Sequence, residues 1–168
     1  PQDTYIKVGN TYRFCIDDVE DALTKAEKKQ GVKVNPKGGY FFGCVDSLTA
    51  LSWYKYAPRK SHRFITPLAK EAFQYMSKQL KVPLGKMTVK MDDGKEFDRP
   101  LYSKWGLKVF KVKSSPFIEG KNSHFQRVFY RVAKTYKTRN LTEMTKLSMA
   151  QASAIIFYRH IYQKASFD

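Results

Sequence analysis

The chain has 168 residues, with 31 Lys and Arg against 15 Asp and Glu, a formal net charge of +16. That length fits one domain, and 42% hydrophobic with 15% aromatic residues supply enough apolar surface to offset backbone ordering, which excludes wholesale disorder. No run approaches the ~18 apolar residues of a membrane span, and the N-terminal segment PQDTYIKVGN lacks the basic-then-apolar layout of a signal peptide. The expectation is an intracellular, non-secreted protein without membrane contact. Cys15 and Cys44 are the only cysteines; they are too few for a disulfide framework or a four-thiolate site and read as buried thiols.

The charge is unevenly spread. Residues 1–57 hold 8 basic and 7 acidic groups and form a near-neutral half; within the strongly basic half, 58–168, residues 58–90 hold 8 against 1, residues 91–100 hold 2 against 4, and residues 101–168 hold 13 against 3. The cations are interleaved with Trp, Tyr, Phe and Leu, so folded elements rather than a disordered tail carry them. Such a surplus is relieved most easily by a polyanionic partner.

In chain order, Tyr5–Val8 and Thr11–Phe14 flank Gly9-Asn10 and predict an opening hairpin. Asp17, Asp18, Glu20 and Asp21 gather around Val19 at the head of an apolar series Val19, Leu23 and Ala26, with Lys25, Lys28 and Lys29 late and Gly31 after them, the charge order of a helix complemented at both ends. Tyr40–Val45 reads as a buried strand, and Asp46 or Ser47 as the cap of a short helix through Tyr54 that stops at Pro58. Thr66-Pro67 starts a helix that repeats Leu68, Ala72, Phe73, Met76 and Leu80 and ends at Val82-Pro83. A second hairpin is predicted from 86–91 and 96–102 around Asp93-Gly94, then a strand from 107 to 113 and a loop from 114 to 120. A helix from about Ser123 sets Phe125, Phe129, Val132 and Tyr136 against a basic side. Asn140 with Glu143 resembles a capping box before a terminal helix. The fold class is therefore α+β, a single domain of about five helices and two small antiparallel hairpin sheets.

Several catalytic motifs fail on inspection. Gly85-Lys86 lacks the earlier glycine of a phosphate loop, because position 80 is Leu. A calcium loop begun at Asp92 would end on Ser103 instead of a bidentate Glu. His62, His124 and His160 are not in paired ligand spacing, and neither cysteine has a cationic neighbour to form a thiolate. Residues 37–43 depart from an RNA-recognition signature, with Phe41 where a small residue is required, and the near-uncharged Ser148–Ile161 segment does not suit a DNA groove. Asp98 with Glu119 and Lys121 follows the acid, acid-x-Lys order of metal-dependent nucleases, yet Glu119 falls in the predicted loop.

The nucleic-acid features are stronger. Trp53, Tyr54 and Tyr56 lead into Arg59, Lys60 and Arg63, pairing stacking surfaces with phosphate-neutralising charge. Lys108, Lys111 and Lys113 on a strand and Arg127, Arg131 and Lys134, extended by Lys137 and Arg139, form a second basic surface where a solvated face would mix both signs. The predicted function is non-catalytic, backbone-reading binding of nucleic acid in a nucleoprotein assembly, with no catalytic residues, metal ligands or cofactor. The alternatives are a structural subunit of a capsid or organelle complex, with Ser148–Ile161 meeting other protein subunits, and a metal-dependent nuclease.

Overall fold

The computed structural model describes residues 13–31, 39–113 and 116–135. Strands β1 (Phe14–Glu20), β2 (Tyr40–Asp46), β3 (Ser52–Ala57), β4 (Thr88–Met91) and β5 (Lys108–Lys111) form one mixed sheet in the order β3-β2-β1-β4-β5. β1 and β2, and β2 and β3, pair antiparallel, whereas β4 runs parallel to both β1 and β5. The helices are α1 (Ala22–Lys29), α2 (His62–Leu80), α3 (Arg99–Lys104) and α4 (Pro116–Thr135).

Both faces of the sheet are covered, so its strands read as nearly continuous apolar runs. Phe14, Ile16, Phe42, Cys44, Trp53, Val89 and Met91 point to one face and pack with Ile65, Phe73 and Met76 of α2 and Tyr102 of α3. Cys15, Val19, Phe41, Val45 and Tyr54 point to the other and meet Phe125, Val128, Phe129 and Val132 of α4. Strand alternation thus sends neighbouring residues into separate cores.

The mixed α and β class is as expected, and a single five-stranded sheet replaces the two hairpin sheets. Asp17, Asp18 and Glu20 lie inside β1 rather than at a helix start: Ile16 and Val19 fill opposite cores, and cross-strand pairing outweighs the local charge order. α1 begins after Asp21, whose Oδ1 accepts from the Leu23 amide at 2.9 Å. The expected short helix after Ser47 is a five-residue turn, Asp46–Ala50, closed by the Ala50 amide donating to the Asp46 carbonyl, followed by β3. α2 starts at His62, one turn ahead of the expected start, so Pro67 lies inside it. The second arm of the predicted Asp93-Gly94 hairpin is instead α3, capped by Asp98 Oδ1 accepting from the Leu101 amide at 3.2 Å. α4 runs from Pro116 and takes in the predicted loop.

Most of the opening hairpin, the capping box at Asn140 and the Ser148–Ile161 helix lie outside the described residues. Among the described residues, no helix is long and apolar enough to cross a membrane.

Gly43 of β2 fixes how closely α4 approaches the sheet. A Cβ there would stand 2.4 Å from Tyr54 Cε1 and 3.1 Å from Asn122 Oδ1. Tyr54 is itself stacked on Phe125, with ring centroids 4.0 Å apart, and donates from its hydroxyl to Asn122 Oδ1 at 2.9 Å. Gly43→Ala is expected to destabilise the fold by about 1–3 kcal/mol through overpacking, seen as a lower urea midpoint with an unchanged slope; an unaltered midpoint would show that α4 is less tightly seated.

Candidate active site

β1 and β4 pair with Phe14 opposite Val89 and Cys15 opposite Lys90. Two residues further in the same register stand Asp17 and Asp92, one within β1 and one just beyond β4. Residues opposite each other in a parallel pair share a face. Cys15 belongs to the core under α4, and Val89 and Met91 to the core under α2, so both carboxylates belong to the α4 face. The carboxyl ends of parallel strands, where the strand order reverses direction, are where open α/β sheets place their ligands.

Each acid is oriented locally. The Asp17 side chain accepts from the Asp18 amide at 2.8 Å, and Asp92 Oδ1 accepts from the Gly94 amide at 2.8 Å. Asn122 of α4 lies over Gly43, the β2 residue paired with Asp17. Glu119 is three residues earlier and so on the same side of the helix; it is exposed at the rim. Burial raises the Asp17 carboxyl to about 6, helped by the negative charges of Asp92 and Glu119 and opposed by Lys60. All three acids therefore act within one field.

A second acidic pair lies on the opposite face of the same strand end. Burial, with the charge of Glu96 next, lifts Asp18 to about 8. Both Asp18 carboxylate oxygens and Glu96 Oε1 are enclosed without a protein donor, so a protonated Asp18 donating to Glu96 is the arrangement that satisfies them. Gly94 makes room for it, because a Cβ there would fall 1.7 Å from Glu96 Oε1 and 3.0 Å from Asp92 Oδ1.

The sequence-predicted residues divide into three groups. Trp53 and Tyr54 are buried in the two cores and Tyr56 packs edge-on to Phe41, so Trp53 and Tyr54 are withdrawn from base stacking. Arg59, Lys60 and Arg63 are exposed around the β3–α2 turn; the Lys60 ammonium lies 5.9 Å from the Tyr40 ring centroid, and its charge lowers Asp17, Asp18 and Glu96. Lys108 and Lys113 are exposed, Lys111 pairs with Asp93 at 2.8 Å, and Arg127 and Arg131 are exposed on α4. Lys134 lies in the last turn of α4, and Lys137 and Arg139 are outside the described residues. Asp98 is spent as the α3 cap, so the expected trio with Glu119 and Lys121 is not formed. Sequence reasoning missed Asp17 and Asp92; the one local signal was a pair of acids inside an apolar stretch, Phe14–Val19.

No protein-family model and no curated protein sequence matches the chain. Its fold matches solved structures. The HTLV-2 integrase catalytic core domain in complex with magnesium superposes in its dimeric form with a TM-score of 0.55 at 12% identity, over 81% of both chains. The trimeric form gives 0.54 at 10% identity, over 87% of this chain and 82% of that one. A chain of the simian T-cell lymphotropic virus intasome in complex with the PP2A regulatory subunit B56 gamma gives 0.52 at 12%, over 81% of this chain. This chain spans 46% of that chain's length.

The fold is that of integrase catalytic cores. That finding corrects the expectation of a non-enzyme, because the structures that share the fold are catalytic core domains, two of them in complex with magnesium.

An acid with a raised folded pKa holds its proton more tightly when folded. Its contribution to stability is therefore full below the unfolded value of about 4 and lost as pH rises through about 6 for Asp17. Asp17→Asn is expected to stabilise the protein by about 1–3 kcal/mol at pH 8, with the difference vanishing near pH 4. Equal stability of the two proteins at pH 8 in denaturant titrations would refute the strain assigned to this carboxylate.

Proposed function

We propose that the chain is a magnesium-dependent phosphoryl-transfer domain that cuts or joins nucleic-acid phosphodiesters. The observation that carries this is the register of β1 against β4, which brings Asp17 and Asp92 side by side under Glu119 on a chain of net charge +16. Among the described residues, no three His, Cys, Asp or Glu side chains converge tightly enough to hold a metal ion unaided. Magnesium rarely needs such a cage: one or two carboxylates suffice, with waters and substrate phosphate oxygens completing the shell. A desolvated Asp17 carboxylate beside the negative charge of Asp92 fits that requirement, since a divalent cation removes the repulsion.

The metal would supply Lewis-acid stabilisation of charge developing on the phosphoryl oxygens. The remaining roles belong to the chain. Asp17 within β1 and Asp92 just beyond β4 hold their carboxylates on a rigid sheet, oriented by the Asp18 and Gly94 amides. Glu119, at the open rim, is positioned to accept a proton from an attacking hydroxyl or water. Lys60 brings a positive charge to the same mouth and can pair with a phosphate. The exposed Arg59, Arg63, Lys108 and Lys113 extend the attraction outward, which raises the local concentration of a polyanion.

The test is incubation of labelled DNA and RNA oligonucleotides, single-stranded and duplex, with magnesium or manganese. Metal-dependent cleavage or joining is expected in the unmodified protein, lost at least 100-fold in Asp17→Asn and in Asp92→Asn while binding without metal persists. Millimolar magnesium should raise the melting temperature at pH 8 in the unmodified protein and not in the Asp17→Asn, Asp92→Asn double variant. Absence of both the reaction and the magnesium shift would overturn the proposal. Persistent salt-sensitive binding in that case would favour a nucleic-acid scaffold that has lost its chemistry.

A further inference from the structure

Tyr54 of β3, Gly43 of β2 and Asp17 of β1 stand in one row across the sheet, and the register of β1 with β4, continued past Cys15 and Lys90, brings Asp92 next. Glycine leaves its place in that row without a side chain. The Tyr54 ring and the Asn122 amide of α4 take the space: a Cβ on Gly43 would lie 2.4 Å from Tyr54 Cε1 and 3.1 Å from Asn122 Oδ1. We infer that Asn122 contacts the reacting phosphate, its side-chain amide donating to a non-bridging oxygen, and that Tyr54 is the residue that positions this amide. The inference deepens the proposed function and rests on it for the reaction; the contact of amide with phosphate can be read without turnover.

The amide is fixed before any ligand arrives. Tyr54 Oη donates to Asn122 Oδ1 at 2.9 Å, and the two side chains are buried, with the Tyr54 ring stacked at 8° on Phe125 of the same helix. Burial, then the charges of Cys44 and Asp17, push the Tyr54 phenol well above its ordinary value, so the hydroxyl keeps its proton and stays a donor. The carbonyl end of the amide is therefore spent on Tyr54, and its N–H end is what it can offer a ligand.

Its place is that of the acids. Gly43, beneath Asn122, is the residue paired with Asp17, and neighbouring strands lie about 4.8 Å apart, so the amide stands one strand away from Asp17. Glu119 is three residues earlier and on the same side of α4, and the charge of Asp17 is felt at Tyr54. A phosphate seated at Asp17 and Asp92 is within reach of the amide.

The chemistry calls for a neutral donor there. The attacking oxygen forms its bond to phosphorus as the bond to the leaving oxygen breaks; its proton passes to Glu119, and the leaving oxygen takes a proton from water. The charge gathered on the non-bridging oxygens is met by the Asn122 N–H. A cationic side chain at this position would neutralise Asp17, whereas an amide donates and leaves the negative centre intact.

Two measurements on the full chain test this. In the first, the side-chain amide resonances of Asn122, identified by their loss in Asn122→Asp, are followed by NMR as a short DNA duplex, and separately an RNA strand of the same sequence, is added in calcium. The resonances should shift with at least one of the two, and the shift should be lost in the Asp17→Asn, Asp92→Asn double variant. Resonances unmoved by both overturn the inference, whether or not the protein is active; a shift without any reaction supports the contact and defeats only the chemistry. The second is kinetic, in magnesium. Asn122→Ala should lower kcat about 100-fold with KM nearly unchanged, and Tyr54→Phe about 10-fold. The double variant should be no slower than Asn122→Ala, because Tyr54 acts through the amide. Sulfur in place of one non-bridging oxygen should slow the unmodified protein in a way that manganese does not relieve, and leave Asn122→Ala unaffected. Circular dichroism and melting temperature establish that the variants fold; if Asn122→Ala unfolds, Asn122→Ser takes its place. Additive losses, or a lower melting temperature with unchanged kcat, overturn the inference in favour of a purely structural hydrogen bond.

Discussion

The parallel pairing of β1 with β4 is the constraint on which the rest of the structure depends. Two adjacent strands that run in the same direction end on the same side, and whatever follows their last paired residues is brought together there. In this chain Asp17 and Asp92 stand there, two residues beyond the last pair, Cys15 with Lys90. Parallel strands need a long crossover; β2 and β3 extend the sheet at the far edge of β1, α2 covers one face, and α4 closes the other. The enclosing cores that stabilise the sheet by hydrophobic burial are also what strip water from the acids at its end. The layers that stabilise the sheet therefore also disfavour the charged form of Asp17.

Charge segregates around that point. The acids converge where β1 runs past the end of β4, and the exposed cations stand outside them, on the β3–α2 turn, on β5, and along α1 and α4. Such an arrangement focuses positive potential over the surface while leaving a negative centre. A polyanion drawn by the periphery meets a compensating charge only if the centre is occupied. On the proposed function, substrate and metal would thus favour each other's binding, and the preference of magnesium for phosphate oxygens as partial ligands gives the same coupling from the metal's side.

Beneath the site, the Asp18 and Glu96 pair shows how a buried polar group is accommodated without a cation. One shared proton removes a charge, and the remaining carboxylate has a donor. Gly94 is needed for this because the Glu96 carboxyl occupies the volume that a side chain at position 94 would fill. The same turn sets Asp92, whose side chain accepts from the Gly94 amide. One glycine thus serves both faces of the strand end.

Much of the framework was legible in the sequence. The apolar period of α2, the buried β2, the β5 segment, the enclosed thiols of Cys15 and Cys44 and the basic surplus after residue 57 all follow from local pattern and composition. β1 was not legible as a strand, because acids ahead of an apolar repeat are equally the signature of a helix start, and only its pairing with β2 and β4 decides between them. Pro116 and Gly120 mark a loop by local rules, yet Pro116 occupies the first helical position and Gly120 is tolerated within α4, which moves Glu119 from a loop to the rim of the site. Trp53 and Tyr54 were legible as aromatic residues beside cations, but their side chains alternate into two cores, so their burial was settled by the sheet. The meeting of Asp17 with Asp92 has no local signal: the two are 75 positions apart, and strand register, a property of tertiary pairing alone, sets one against the other.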